Sequence, residues 1–310
     1  MDPLKSTGIQ GNWATLLLPI QADDSIDGGC LAQEIDRLIS FGVDGIYSNS
    51  TAGEFYNQTE DEFDMISRLL AERCNRANMP FQIGVSHMSP VISLARLKRV
   101  VALKPGAVQV ILPDWFPVTN EEAVSFLQTL AEHAEGIGLV LYNPPHAKRR
   151  LLPQDFAAIK RAVPSLDGLK VAGGDSGWFA EMRRLLPDVS VFVPGHTLAS
   201  GFRLGAQGAY SNVACLNPAA AQRWYDQMRS DIAAALKLET RIRRFFDECM
   251  LPYIVDAGYS NQAVDKLLAC IGEWTCLSRR LRWPYRSIPA AEAKRQRVKA
   301  QAWLPEFFCA

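Results

Sequence analysis

The chain has 310 residues, 33 Lys plus Arg against 33 Asp plus Glu, and 48% hydrophobic residues. That is the size of one large domain, or of one domain with an appendage, with apolar residues enough for a large core. The zero formal charge argues against a general nucleic-acid binder, which needs a basic surface to displace counterions.

No stretch reaches the roughly 20 apolar residues that cross a bilayer, and the best candidate, residues 13–20, is strand-length. The start, Met1-Asp2-Pro3-Leu4-Lys5, lacks a basic region followed by an apolar block, so no secretory signal is expected. The seven cysteines (Cys30, Cys74, Cys215, Cys249, Cys270, Cys276 and Cys309) stand singly, with no CxxC pair. They read as buried reduced thiols of a cytoplasmic protein.

Short apolar or β-branched runs then alternate with longer amphipathic stretches. The predicted strands are 14–20, 45–49, 81–85, 107–112, 138–142, 168–171, 189–193 and 208–211. The predicted helices between and after them are 30–41, 60–73, 90–103, 120–134, 153–162, 178–186, 198–204 and 218–228. Thr119-Asn120-Glu121-Glu122 and Ser89-Pro90 are helix starts, supplying a cap, acidic first-turn residues and a proline at the first helical position. Continuous apolar strands alternating with helices predict a parallel sheet covered on both faces. Eight such units in about 215 residues predict an α/β fold, the (β/α)8 TIM barrel. No glycine fingerprint follows the first strand, which removes the main support for a dinucleotide fold. Beyond residue 232 the pattern is helical only, at 236–250, 261–271 and 290–302. The expected organisation is a barrel over 1–232 and a C-terminal helical region over 233–310. The basic, aromatic stretch 278–286 reads as a linker whose arginines pair with acidic groups on the barrel or on a neighbouring subunit.

Barrel enzymes place their chemistry where strands end. Strand 2 ends in Ser48-Asn49-Ser50-Thr51-Ala52-Gly53-Glu54, a turn of successive N–H groups suited to a carboxylate. Strand 5 ends in Tyr142-Asn143-Pro144-Pro145-His146, strand 7 in Pro194-Gly195-His196-Thr197 and strand 8 in Ala209-Tyr210-Ser211-Asn212. Strand 6 carries Lys170 inside an apolar run. Two readings of Lys170 stand side by side. Desolvation would lower its pKa and free the amine as a nucleophile, or its head would reach water or pair with Asp175. Tyr142, one unit earlier, would lie beside it and could move protons. His196 and Tyr210 are expected in the distal pocket, selecting the far end of the substrate. The histidines (His87, His133, His146, His196) show no HxH or HxxxH spacing, so no metal site is expected, although His146 and His196 could share the pocket.

Three segments together resemble the dihydrodipicolinate synthase / N-acetylneuraminate lyase family. Residues 45–54 are similar to its Gly-Thr-Thr-Gly-Glu segment, Tyr142-Asn143-Pro144-Pro145 to its Tyr-Asn-x-Pro motif, and Gly168-Leu169-Lys170 to its Gly-x-Lys motif. The resemblance runs through nearly the whole chain and implies a barrel with a C-terminal helical extension, assembled as a homotetramer or dimer. It also implies a Schiff-base-forming aldolase or dehydratase acting on pyruvate or another 2-oxo acid, such as a 2-keto-3-deoxy sugar acid, without a cofactor. The catalytic residues would be Lys170, Tyr142 and Thr51, with Ser50, Ala52, Tyr210 and His196 binding substrate. Departures bear on the substrate. The second Thr of the Thr-Thr pair is Ala52, a tyrosine of the synthases is replaced in the stretch Pro113-Asp114-Trp115-Phe116, and their arginine after Tyr-Asn-x-Pro is Ala147. Dihydrodipicolinate synthase itself, or a non-catalytic 2-oxo acid sensor, are the alternatives.

Overall fold

The protein is described by a computed structural model over residues 1–308. Eight parallel strands close into a barrel in chain order: β1 (Gly11–Thr15), β2 (Gly45–Ser48), β3 (Phe81–Gly84), β4 (Ala107–Val110), β5 (Gly138–Asn143), β6 (Leu166–Val171), β7 (Ser190–Pro194) and β8 (Gly208–Tyr210). The ring is sealed by β1 against β8, with Trp13 opposite Tyr210. The crossover helices are α1 (Gly28–Ser40), α2 (Glu60–Ala77), α3 (Pro90–Val100), α4 (Asn120–His133), α5 (Pro153–Ala162), α6 (Ser176–Leu185) and α7 (Leu198–Leu204). After β8 come α8 (Asn212–Leu216), α9 (Pro218–Ser230), α10 (Ile232–Phe245), α11 (Leu251–Val255), α12 (Asn261–Gly272) and α13 (Ala290–Trp303). The (β/α)8 barrel with C-terminal helices is thus the fold.

Local chemistry sets the helix starts. Thr59 with Glu62, and Thr119 with Glu122, form reciprocal capping boxes on α2 and α4, each satisfying two otherwise orphaned N–H groups. Asn217 caps α9, whose first residue is Pro218. Between α10 and α11 the backbone widens into a π turn over Phe246–Met250. Pro252 explains it, since a residue without an N–H cannot continue the ordinary ladder.

The first strand lies earlier than its apolar run predicts. Residues 11–15 form the strand, while 16–20 leave the barrel mouth and pack beneath α1, where the Leu17 N–H donates to the buried Glu34 carboxylate at 2.9 Å. Continuous apolarity cannot separate a strand from a buried loop of the same length. Trp13, wholly buried, fills the barrel with Tyr47, Val140, Phe192 and Tyr210. It lies flat over Gly45, where any Cβ would stand 2.5 Å from its ring.

Two cysteines depart from the expectation of reduced thiols. Cys30 on α1 and Cys276, just past α12, form a disulfide with Cα atoms 5.9 Å apart. Their 246-residue separation hid the proximity. Cys74, Cys215, Cys249 and Cys270 remain thiols, and Cys309 lies outside the described residues. In the basic stretch, Arg282 is 9% exposed and pairs with Glu62 at 2.7 Å, and Arg280 pairs with Asp24 at 2.8 Å. Those arginines tie the C-terminal segment to the barrel. No helix among the described residues is long and apolar enough to cross a membrane.

Candidate active site

Strand register builds the centre of the site. Tyr142 on β5 sits directly opposite Lys170 on β6, and Lys170 opposite Phe192 on β7. Alternation turns these side chains inward, so the Lys170 ammonium is ringed by aromatic faces. Its Nζ is 4.2 Å from the Tyr142 ring centre, 5.0 Å from Tyr47 and 5.2 Å from Tyr210, and donates to the Tyr47 hydroxyl at 3.4 Å. Burial pulls the Lys170 pKa down to about 8, with the negative charge of Asp265 opposing. Ring faces offset part of that cost. Of the two sequence readings, the burial and lowered pKa of the amine favour the desolvated one. Asp175 is engaged elsewhere, accepting from the Trp178 N–H at 2.8 Å as the cap of α6.

Burial also pushes the Tyr142 phenol up to about 12, the Thr51 hydroxyl beside it opposing and Asp265 reinforcing. The phenol is therefore protonated at neutral pH and able to give a proton to a developing oxyanion. Thr51 and Ala52 occupy the turn after β2. Within it the Gly53 N–H donates to Ser50 Oγ at 3.1 Å and the Glu54 N–H to the Thr51 carbonyl at 3.0 Å. No acceptor among the described residues takes the N–H of Thr51 or Ala52. Two adjacent free amides at a cavity wall suit an anionic oxygen pair.

These groups line one cavity of 330 Å³, within the range that holds a small substrate. Lys170, Tyr142, Thr51, Ala52, Tyr210 and His196 all face it. Ser50 does not. Its hydroxyl shares a 2.8 Å hydrogen bond with Thr15 and accepts from Gly53, so its work is to shape the turn. Tyr210 differs from expectation too. Its hydroxyl donates to Gln82 at 2.7 Å and its ring packs 4.5 Å from Tyr47, which makes it the floor beside Lys170 rather than the distal end. His196 does lie distally, stacked on Phe246 at 5.1 Å. Asn212 accepts from the His196 N–H at 3.1 Å through Oδ1, which leaves its amide Nδ2 to donate to His196 Nδ1 at 2.9 Å. The imidazole, whose pKa burial lowers, then carries its proton on Nε2. His146 lines a different cavity of 270 Å³, with Arg149, Asp114 and Tyr285, so the two histidines do not meet.

The outer wall is helical, and sequence reasoning missed it. Asn261, Val264 and Asp265 face the cavity from α12, at the three- and four-residue spacings that share a helix face. Phe246, Met250 and Ile254 face it from the π turn and α11. Burial raises the Asp265 carboxyl to about 7, with Lys170 opposing. The signal was present: Asp265 and Lys266 interrupt a helix that is otherwise apolar from Ala263 to Gly272. Lys266, wholly buried, points the other way and pairs with Glu54 at 2.7 Å, locking α12 to the turn that carries Thr51. Tyr47 was also missed, although it lies within the segment 45–54, because it stands one residue before the strand-end stretch 48–54 that was read for chemistry.

A depressed lysine, a proton-bearing phenol and a pair of free amides in one cavity can add an amine to a carbonyl whose substituent is anionic. Comparisons with known proteins agree. Residues 8–301 match the profile of the dihydrodipicolinate synthetase family. Among curated relatives, N-acetylneuraminate lyase from Salmonella paratyphi A is 25% identical over 243 residues, 77% of this chain and 81% of that protein. N-acetylneuraminate lyase from Escherichia coli strain SE11 is 25% identical over 249 residues, 78% and 82% of the two chains. Among solved structures, a prophage protein of the dihydrodipicolinic acid synthase family from Escherichia coli K12, in complex with pyruvate, superposes with a TM-score of 0.83. It has 19% identity and covers 95% of this chain and 98% of its own. The 4-hydroxy-tetrahydrodipicolinate synthase from Methylacidiphilum fumariolicum SolV gives 0.83 at 17% identity, covering 97% and 98%.

Proposed function

The chain belongs to the dihydrodipicolinate synthetase family, whose members are lyases, and on that premise we propose that it cleaves or forms a bond next to pyruvate or a related 2-oxo acid through an imine on Lys170. The observation that carries this reading is Lys170 itself, an amine with its pKa pulled to about 8 inside a 330 Å³ cavity that also holds Tyr142 and the free amides of Thr51 and Ala52.

The neutral amine adds to the ketone carbon, giving a carbinolamine, and loss of water gives a protonated imine. Tyr142 delivers the proton that lets hydroxide leave as water and recovers one in the reverse step. The 2-oxo acid carboxylate rests on the N–H groups of Thr51 and Ala52. The Tyr142 phenolate left by the loss of water takes the proton of the substrate's β-hydroxyl, and the bond breaks to release the far fragment as an aldehyde. The iminium takes up the electron pair as an enamine, which protonation at carbon and hydrolysis return to free lysine and pyruvate; bond formation runs these steps in reverse. Tyr47 holds the amine at 3.4 Å and the Tyr210 ring closes the floor below it.

The assembly is a cytoplasmic homo-oligomer, a tetramer or dimer, in the same proposal. Supporting association, Trp115 and Phe116 are 72% and 75% exposed at the barrel mouth after β4, with Met88 47% exposed. The Cys30–Cys276 pair is the feature that a cytoplasmic location does not predict.

Incubation with pyruvate and borohydride is expected to add one reduced pyruvyl group per chain, mapped to Lys170, and Lys170→Ala is expected to abolish both adduct and turnover while the barrel still folds. An adduct that survives that substitution, or that never forms in the wild type, overturns the reading.

A further inference from the structure

We infer that Asp265 selects the second half of the substrate, so that the enzyme takes an uncharged, hydroxyl-bearing aldehyde and turns away aldehydes that carry a carboxylate or phosphate. This inference rests on the imine reading of Lys170 and extends it to the partner of the 2-oxo acid.

Asp265 reaches the cavity from α12, outside the barrel, and makes no hydrogen bond or ion pair with any described residue. Its neighbour Lys266 is taken by Glu54, and Lys170, which hydrogen-bonds to Tyr47, meets Asp265 through charge alone. The carboxyl therefore faces the same space in which the reaction takes place, with its oxygens unspent. Asp265 is half-buried, so its carboxyl loses part of its hydration at the cavity wall, and a ligand donor is the natural compensation.

The charges of the wall point the same way. Once Lys170 is an imine its positive charge is matched by the 2-oxo carboxylate held at Thr51 and Ala52. The remaining charged side chains lining this cavity are Asp265 and Asp247, both acidic, and no arginine lines it. Arg149 belongs to the second cavity and is held by Asn120 and Asp155. Above about pH 7, where Asp265 is ionised, a second anion on the substrate would thus meet like charge with no cation to offset it. A hydroxylated chain meets acceptors at Asp265 and Asp247, a donor at His196 Nε2, and the mixed groups of Asn212 and Asn261. Phe246, Met250 and Ile254 supply apolar surface for its carbon skeleton.

The test compares aldol addition of pyruvate to D-glyceraldehyde, uncharged and hydroxylated, with addition to succinic semialdehyde, which carries a carboxylate. The wild type is expected to favour glyceraldehyde by about 100-fold or more in kcat/KM, the discrimination that unpaired like charge supports. In Asp265→Asn, which keeps the shape of the side chain, that ratio should fall by about tenfold or more, mainly through a lower KM for the anionic aldehyde. Equal use of the two aldehydes by the wild type, turnover of neither, or an unchanged ratio in the variant overturns the inference. Borohydride trapping with pyruvate alone needs no aldehyde, so a failed adduct condemns the imine reading and a normal adduct with the wrong ratio condemns only the role of Asp265.

Discussion

On the strand wall of the cavity, Lys170, Tyr142 and Tyr47 are spaced by the hydrogen-bonded ladder of the barrel, each fixed by the register of its neighbours. On the helical wall, Asp265 and Asn261 hang on α12, which is joined to the barrel by packing, by the wholly buried ion pair of Lys266 with Glu54, by a hydrogen bond from Gln262 to the Tyr56 hydroxyl and, just past its end, by the Cys30–Cys276 disulfide. Gly272 shows how close that packing is, because a Cβ there would collide with the Leu216 carbonyl of α8. In the proposed reaction the strand wall supplies the groups that make and break bonds, and the helical wall those that meet what the reaction joins or releases. A scaffold that keeps the first rigid and hangs the second on a separate layer can change its acceptor without disturbing the amine.

The comparison can be broken at the strand wall first. Tyr142→Phe keeps the ring over Lys170 and removes only the proton carrier, so turnover should fall about 10²–10⁴-fold. The melting temperature should stay within about 2 °C. Near-normal turnover would assign the proton transfers to another group. At the joint between the walls, Glu54→Gln leaves the Lys266 charge buried and uncompensated, which should cost about 3–5 kcal/mol in denaturant unfolding. A loss below about 1 kcal/mol would show that the ion pair contributes little to holding α12. The gentlest probe is pH. Because burial lowers the Lys170 pKa to about 8, the amine is neutral above that value and protonated below it. The second-order rate of adduct formation with pyruvate should therefore level off above about pH 8 and fall about tenfold for each unit below. A rate still climbing past about pH 10 would describe an ordinary exposed lysine.

Much of the strand wall was legible in the chain. Eight apolar runs alternating with capped helices specify a parallel sheet covered on both faces, and their number, with no glycine fingerprint after the first strand, favours a closed barrel over an open doubly wound sheet. Strand ends then point to Lys170, Tyr142, Thr51 and Ala52 without coordinates, since alternation and chain order bring adjacent units together. Where the reading slipped, local pattern was ambiguous. The run 16–20 is as apolar as a strand yet forms a buried loop, and Ser50, polar like its neighbours, turns its hydroxyl to Thr15 instead of the cavity.

The sequence by itself determined the barrel, its order of strands and the meeting of a lysine with a tyrosine, because these follow from periodicity and from neighbours one unit apart. Tertiary structure alone decided that Tyr210 serves as floor, that His146 and His196 face different cavities, that Cys30 meets Cys276, and that Asp265 looks down on Lys170 from 95 residues further along the chain. Such contacts depend on how whole helices pack, and packing is a property of surfaces that no short stretch of sequence displays.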